Sequence, residues 1–234
     1  MSAEQVRREL QSLADAKKAA MVKRFFKTGP GQYGEGDIFL GIKVPRSRQI
    51  AKKYISLPFN QVKVLLDSNI HEERLVALLI LVRKYDHGSD KEKSDIVRFY
   101  LDNLKQVNNW DLVDLSAPNI LGSFLMESDR SLLYKLAKSG NIWERRIAIL
   151  ATMQFIKNGE FSNTLKLASM LLRDDHDLIH KAVGWMLREV GKRDLALEEA
   201  FLDKHYKVMP RTTLRYAIER FTERKKQKYM KIIR

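Results

Sequence analysis

RLVALLIL, residues 74–81, places a basic residue ahead of apolar residues at helical spacing, and four later segments repeat that pattern in whole or part. They are DLVDLSAP at 111–118, RIAILATM at 146–153, KAVGWMLR at 181–188 and RYAIERFT at 215–222. By subtraction the five starts lie 37, 35, 35 and 34 residues apart. That period is the one expected of paired-helix solenoids, in which no unit can bury its apolar face alone and neighbours stack to form one core. The reading is an all-α superhelical solenoid of antiparallel helix pairs. One segment departs from the rule, because the second starts on Asp111 where the others start on Arg74, Arg146, Lys181 and Arg215. Three positions on, it carries Asp114 against Ala77, Ile149, Gly184 and Ile218 in its siblings. A carboxylate on a packing helix costs several kcal/mol or so unless it is paired or opens onto a cleft.

A chain of 234 residues with 44% hydrophobic content can bury a sizeable core, and the regular repeat favours one continuous domain over residues 1–234. Within it, N-terminal helices are expected over 1–28, a loop over 28–41 and the repeats from about 42 to 234. The apolar rhythm of Val6, Leu10, Leu13, Met21 and Phe25 supports the helices, with a break near 14–16. TGPGQYGEGD matches GxGxxG at Gly29, Gly31 and Gly34. It leaves a helix rather than a strand and contains a proline, so it reads as a connector and not as a dinucleotide site. Pro45 then opens a helix, Pro118 should end or kink the helix bearing Trp110 and Asp114, and Asn69, Ser89, Asn109, Ser128, Asn141, Asp175 and Asp194 are candidate caps. The basic stretch ERKKQKYMKIIR at 223–234 reads as a solvated or phosphate-facing tail.

No run approaches the roughly 18 apolar residues of a membrane span, and the charged N-terminus is unlike a signal peptide, so a cytoplasmic protein is expected. The chain has no cysteine, which excludes disulfides, thiolate metal sites and cysteine nucleophiles. His176 and His180 share one helix face, yet lack the Glu of the zincin pattern and a third ligand, so neither metal nor cofactor is expected. Against 29 acidic residues stand 43 basic ones, a formal charge of +14 that favours a polyanionic partner, with nucleic acid ahead of a plain basic protein. Arg74, Arg146, Lys181 and Arg215, one in each repeat except the second, would line one face as a stripe along a phosphate backbone.

The three tryptophans, Trp110, Trp143 and Trp185, all lie on the repeat helices. A single indole on a helix is more often core, but three on one set of helices beside a basic stripe and an odd carboxylate read as well as platforms for a cation, which a carboxylate attracts more strongly. Trp110, Asp114 and Trp185 within a basic groove would suit DNA carrying a locally positive group. A purine alkylated on a ring nitrogen is such a species. Its base leaves neutral, so no general acid is needed, and one carboxylate can stabilise the oxocarbenium-like sugar and position water.

The segments FLGIKVPRSRQ, NNWDLVDLSAPNILG, NIWERRIAIL and IHKAVGWMLRE resemble the AlkD-type DNA alkylation repair glycosylases, over about residues 25–188. The resemblance implies a superhelix of HEAT-like repeats that binds duplex DNA. It implies excision of cationic alkylpurines of the 3-methyladenine and 7-methylguanine type as a step of base excision repair, without a base-flipping pocket. It puts the catalytic acid at Asp114, lesion-flanking indoles at Trp110 and Trp185, backbone contacts at Arg146 and Arg188, and a DNA-directed motif at Lys43 to Pro45. Lys43 and Val44 depart from the polar pair of the family, Asp177 and Leu178 replace an aromatic pair, and Asn109 stands where a second Trp can occur. The partner expected is double-stranded DNA containing alkylated bases, bound by a monomer in a bacterial cytoplasm or nucleoid. The other reading is a solenoid that grips DNA or an acidic protein without chemistry, with Asp114 paired to Arg146 or another stripe residue and the indoles in the core.

Overall fold

A computed structural model describes residues 1–230, so the last four residues of the basic tail lie outside the described residues. Among the described residues the regular structure is helical, and an isolated parallel bridge joins Ile38 to Ile70. Two compact units divide the chain, residues 1–120 and 121–234.

The first unit contains α1 (Ala3–Ser12), α2 (Ala16–Phe25), α3 (Val44–Lys53), α4 (Phe59–Leu66), α5 (His71–His87), α6 (Asp90–Asp102) and α7 (Trp110–Ser116). At its centre α5 packs against α3, α4, α6 and α7. The reason is in its sequence, since LVALLILV is apolar all round and such a helix is stable only when covered on every side. Ser2 starts α1 in a capping box with Gln5, and Ser89 starts α6 in another with Glu92. The break expected near residue 14 falls between α1 and α2, where Asp15 caps the second helix. Residues 28–41 form the expected loop, with no strand before it. Gly41 requires its lack of a side chain, because it sits at φ +80° and a Cβ would lie 2.5 Å from the Asp15 carbonyl oxygen.

The second unit contains α8 (Ser131–Ala137), α9 (Ile142–Ala151), α10 (Met153–Lys157), α11 (Ser162–Leu171), α12 (Asp177–Gly191), α13 (Leu195–His205), α14 (Arg211–Ala217) and α15 (Glu223–Met230). Here α12 is the hub, against α9, α11, α13 and α14. As the proline predicts, α7 ends before Pro118, and a π turn follows over Pro118–Gly122.

A turn motif marks the repeat more sharply than the apolar rhythm does. The side chains of Ser68, Ser139 and Asp174 accept the backbone N–H two residues on, at 3.0, 3.0 and 2.9 Å. Their carbonyls accept from the side chain six residues on: Arg74 at 2.8 Å, Arg145 at 2.9 Å, and His180. Arg145, not Arg146, is therefore the counterpart of Arg74. The same turns move two expected caps by one residue, to Ile70 and His176 in place of Asn69 and Asp175, while α8 starts after Arg130 rather than Ser128.

Candidate functional site

Helix starts give the register that apolar spacing misplaced. The helices α5, α7, α9, α12 and α14 begin at residues 71, 110, 142, 177 and 211, intervals of 39, 32, 35 and 34 by subtraction. Counted from those starts, the fifth residue is Leu75, Asp114, Arg146, Lys181 and Arg215 in turn. Asp114 thus takes the place where three sibling helices carry a base, rather than one where they carry packing residues. Its carboxylate is half-buried. One turn earlier Trp110 begins α7, its N–H held at 2.8 Å by the Asn109 side chain. The indole is half-buried, stacked on Phe26 with ring centroids 4.9 Å apart and planes at 14°. Phe25 meets it edge-on at 5.7 Å and is itself 68% exposed. Sequence reasoning missed Phe25 because its spacing on α2 matched that of a core residue.

Beneath this pair the first turn of α5, His71-Glu72-Glu73-Arg74, is buried throughout. Arg74, expected in an open basic stripe, is only 4% exposed, with Nη2 donating to Asp37 Oδ1 at 2.6 Å. That corrects the expectation, since this guanidinium neutralises a buried carboxylate and faces no solvent. His71 lies between two carboxylates, Nδ1 3.2 Å from Asp37 Oδ2 and Nε2 2.8 Å from Asp111 Oδ2. Burial opposes charge on its ring, but the charge and hydrogen bond of Asp111 and the hydrogen bond of Asp37 outweigh it and raise the pKa to about 9. Burial likewise works to raise the Asp37 carboxyl, and hydrogen bonds from His71 and Asn109 with the charge of Arg74 bring it below its ordinary range. Asn109 donates to Asp37 at 3.0 Å. Glu72 accepts the backbone N–H groups of Leu40, Gly41 and Ile42 at 2.9, 2.8 and 3.2 Å, which fixes the chain as it enters α3. Just beyond, Lys43 and Pro45 are exposed at the α3 N-terminus.

In the second unit Trp185 is half-buried on α12, its Nε1 donating to Glu189 at 3.2 Å, while Trp143 is core. Arg188, a turn after Trp185, pairs with Glu219. Lys181 pairs with Asp177 at 2.7 Å, and Arg215 is exposed. Arg146 is 4% exposed and donates to the Leu178 carbonyl at 2.5 Å. A phosphate could reach it only by exchange of such bonds, so the open stripe is reduced here to Lys181 and Arg215. His176 caps α12, accepting from Leu178 N–H at 3.1 Å, and His180 closes the turn at Asp174. Both rings are thereby assigned to helix initiation.

A family model described as DNA alkylation repair enzyme matches residues 6–221. Among solved structures, a predicted DNA alkylation repair enzyme from Enterococcus faecalis superposes with a TM-score of 0.69 at 18% identity, covering 90% of this chain and 97% of that one. AlkD2 from Streptococcus mutans superposes at 0.58 with 16% identity, over 89% and 99% of the two chains. The protein smu.31 from Streptococcus mutans UA159 does so at 0.52 with 16% identity, over 99% of each. At these identities the likeness is one of fold. Among curated protein sequences none matches significantly.

Proposed function

As the chain belongs to the DNA alkylation repair enzyme family, we propose that it is a DNA glycosylase that hydrolyses the N-glycosidic bond of cationic alkylpurines in duplex DNA. The observation that carries the reading is Asp114, a half-buried acid at the helix position that three sibling helices give to Arg146, Lys181 and Arg215, one turn from a half-buried indole.

The chemistry asks little of the protein. In a 7-methylguanine or 3-methyladenine nucleotide the bond from C1′ to the base nitrogen breaks with its electron pair going to the base, which leaves neutral. Asp114 stabilises the positive charge left on the sugar and orients water toward C1′, and a water proton passes to solvent. The Trp110 face favours the cationic base before the bond breaks. On the family resemblance Trp185 is assigned the same role, and the lesion is read without extrusion into a pocket. Lys43, Lys181, Arg188 and Arg215 serve as phosphate contacts, and Pro45 presents the α3 terminus to the duplex.

Release of free base from duplex DNA containing 7-methylguanine tests this. The wild type is expected to release it, and Asp114→Asn to keep duplex affinity while losing roughly 100-fold or more in rate, the scale of one lost charge-stabilising group. No release by the wild type would mean a binding module without chemistry. Equal release by the variant would make Asp114 structural.

A further inference from the structure

The buried His71 has a feature that the proposed chemistry does not use: both ring nitrogens face carboxylate oxygens, Asp37 at 3.2 Å and Asp111 at 2.8 Å. A neutral imidazole has one N–H and one lone pair, so one of those contacts would set lone pair against lone pair. Only an imidazolium donates to both. Charge balance at the ring agrees, because Glu72 is turned to backbone N–H groups and Glu73 to Arg7, while Asp37 and Asp111, the two carboxylates on the ring, have one guanidinium, Arg74, and the ring supplies the second positive charge.

The ring joins three parts of the first unit. Through Asp37 it holds the loop at residues 28–41, through its own backbone it belongs to α5, and through Asp111 it holds the second residue of α7. Trp110 lies between two of these ties, since Asn109 bonds Asp37 on one side and Asp111 bonds His71 on the other. A second route runs through aromatic faces. His71 stacks on Phe39 at 4.5 Å and touches Phe26 at 5.0 Å, and Phe26 stacks on Trp110. We propose that His71, as an imidazolium, is a positioning residue that clamps α7 to the loop and to α5, and so sets the orientation in which Trp110 and Asp114 meet the lesion. The part of this inference that concerns excision rests on the glycosylase reading; the clamp itself does not.

The other groups around the ring do not replace it. Asp37 faces it from the loop, Asp111 from α7, and Arg74 from its own helix, while Asn109 is occupied by Asp37 and Trp110. Glu72 is turned to the backbone of residues 40–42, and Glu73 pairs with Arg7 at 2.9 Å. The clamp is closed at neutral pH and opens as pH rises through about 9.

The test labels the full chain with 5-fluorotryptophan and assigns the Trp110 resonance from Trp110→Phe. Between pH 7 and 10.5 that resonance is expected to move with a midpoint near 9 in the wild type and to stay flat in His71→Gln. In single-turnover release of 7-methylguanine at pH 7.5, His71→Gln is expected to lose at least tenfold in rate with duplex affinity within twofold. His71→Gln/Asp111→Asn, which removes the stranded carboxylate, is expected to recover part of that loss. A Trp110 resonance unmoved across the wild-type titration overturns the clamp, as does a His71→Gln protein with wild-type resonance and rate. If the wild type releases no base at all, the glycosylase reading falls, and the fluorine titration, which needs no DNA, still decides the clamp.

Discussion

A Cβ on Gly184 would stand 2.5 Å from both the Thr213 carbonyl oxygen and the Tyr216 Cβ, so α12 and α14 approach here at a distance only glycine permits. Because one obstacle is backbone, Gly184→Ala must push α14 away rather than turn a side chain. The expected cost is about 1–3 kcal/mol of unfolding free energy, measurable by urea denaturation. In the same unit Glu198 is buried with Oε1 lacking a hydrogen-bond partner, and burial, aided by the charge of Glu199 and opposed by that of Arg188, raises its pKa to about 8. The folded state then binds its proton more tightly than the unfolded state, so this group weakens the fold as pH rises from about 4.5 to 8. Glu198→Gln should stabilise the protein by about 3 kcal/mol at pH 7 and by little at pH 4.5, read from paired melts. His71 has the same sign in a later window: its stabilisation is complete below 6.5 and lost as pH passes about 9, a contribution on the order of 3 kcal/mol. Stability should therefore decline from about pH 6.5 to 9, with His71→Gln flatter across that range.

At the scale of the elements, the helices were legible wherever apolar spacing or a proline left one interpretation. The break before α2, the loop at 28–41 and the end of α7 ahead of Pro118 all follow from local chemistry. The register was not legible, because Arg145 and Arg146 are adjacent bases and only the bond from Arg145 to the Ser139 carbonyl shows which one matches Arg74. That slip concealed how far Asp114 departs from its siblings. Asp114 stood out as a charge against the packing residues of its siblings and Trp110 as an indole one turn before it, whereas the polar first turn of α5 was missed. HEER at 71–74 looks like a solvated helix start, with two acids favoured near the N-terminus, and its partners Asp37, Asp111 and residues 40–42 are distant in sequence or lie in an irregular loop. Glu72 accounts for the order of that loop. Its carboxylate takes three buried N–H groups, and Glu72→Ala leaves them without an acceptor at about 1–3 kcal/mol each before relaxation. Amide exchange of Leu40, Gly41 and Ile42 should accelerate well beyond that of the α6 amides in this variant. Equal acceleration in both segments would mean that the whole unit unfolds and that Glu72 has no local role.

For the whole molecule, a formal charge of +14 says that an acidic polymer is favoured but not which bases touch it. Burial supplies the missing distinction. Arg74 and Arg215 were equivalent members of one stripe in the sequence, yet the first neutralises Asp37 in the interior and the second is exposed on α14. A phosphate contact releases condensed counterions, and each one lost should make the plot of log affinity against log salt shallower by about 0.9 on duplex DNA. Arg215→Ala is therefore expected to weaken binding to every duplex, damaged or not, and to reduce the slope by about that amount with an unchanged melting temperature. Arg74→Ala is expected to do the reverse, keeping the slope and losing about 3–5 kcal/mol of stability, because it strands the Asp37 carboxylate beside one remaining cation. Affinities measured from 50 to 300 mM salt, beside melts of both variants, separate the two. An unchanged slope for Arg215→Ala would remove that residue from the interface, and a shallower slope for a fully stable Arg74→Ala would return the buried arginine to it.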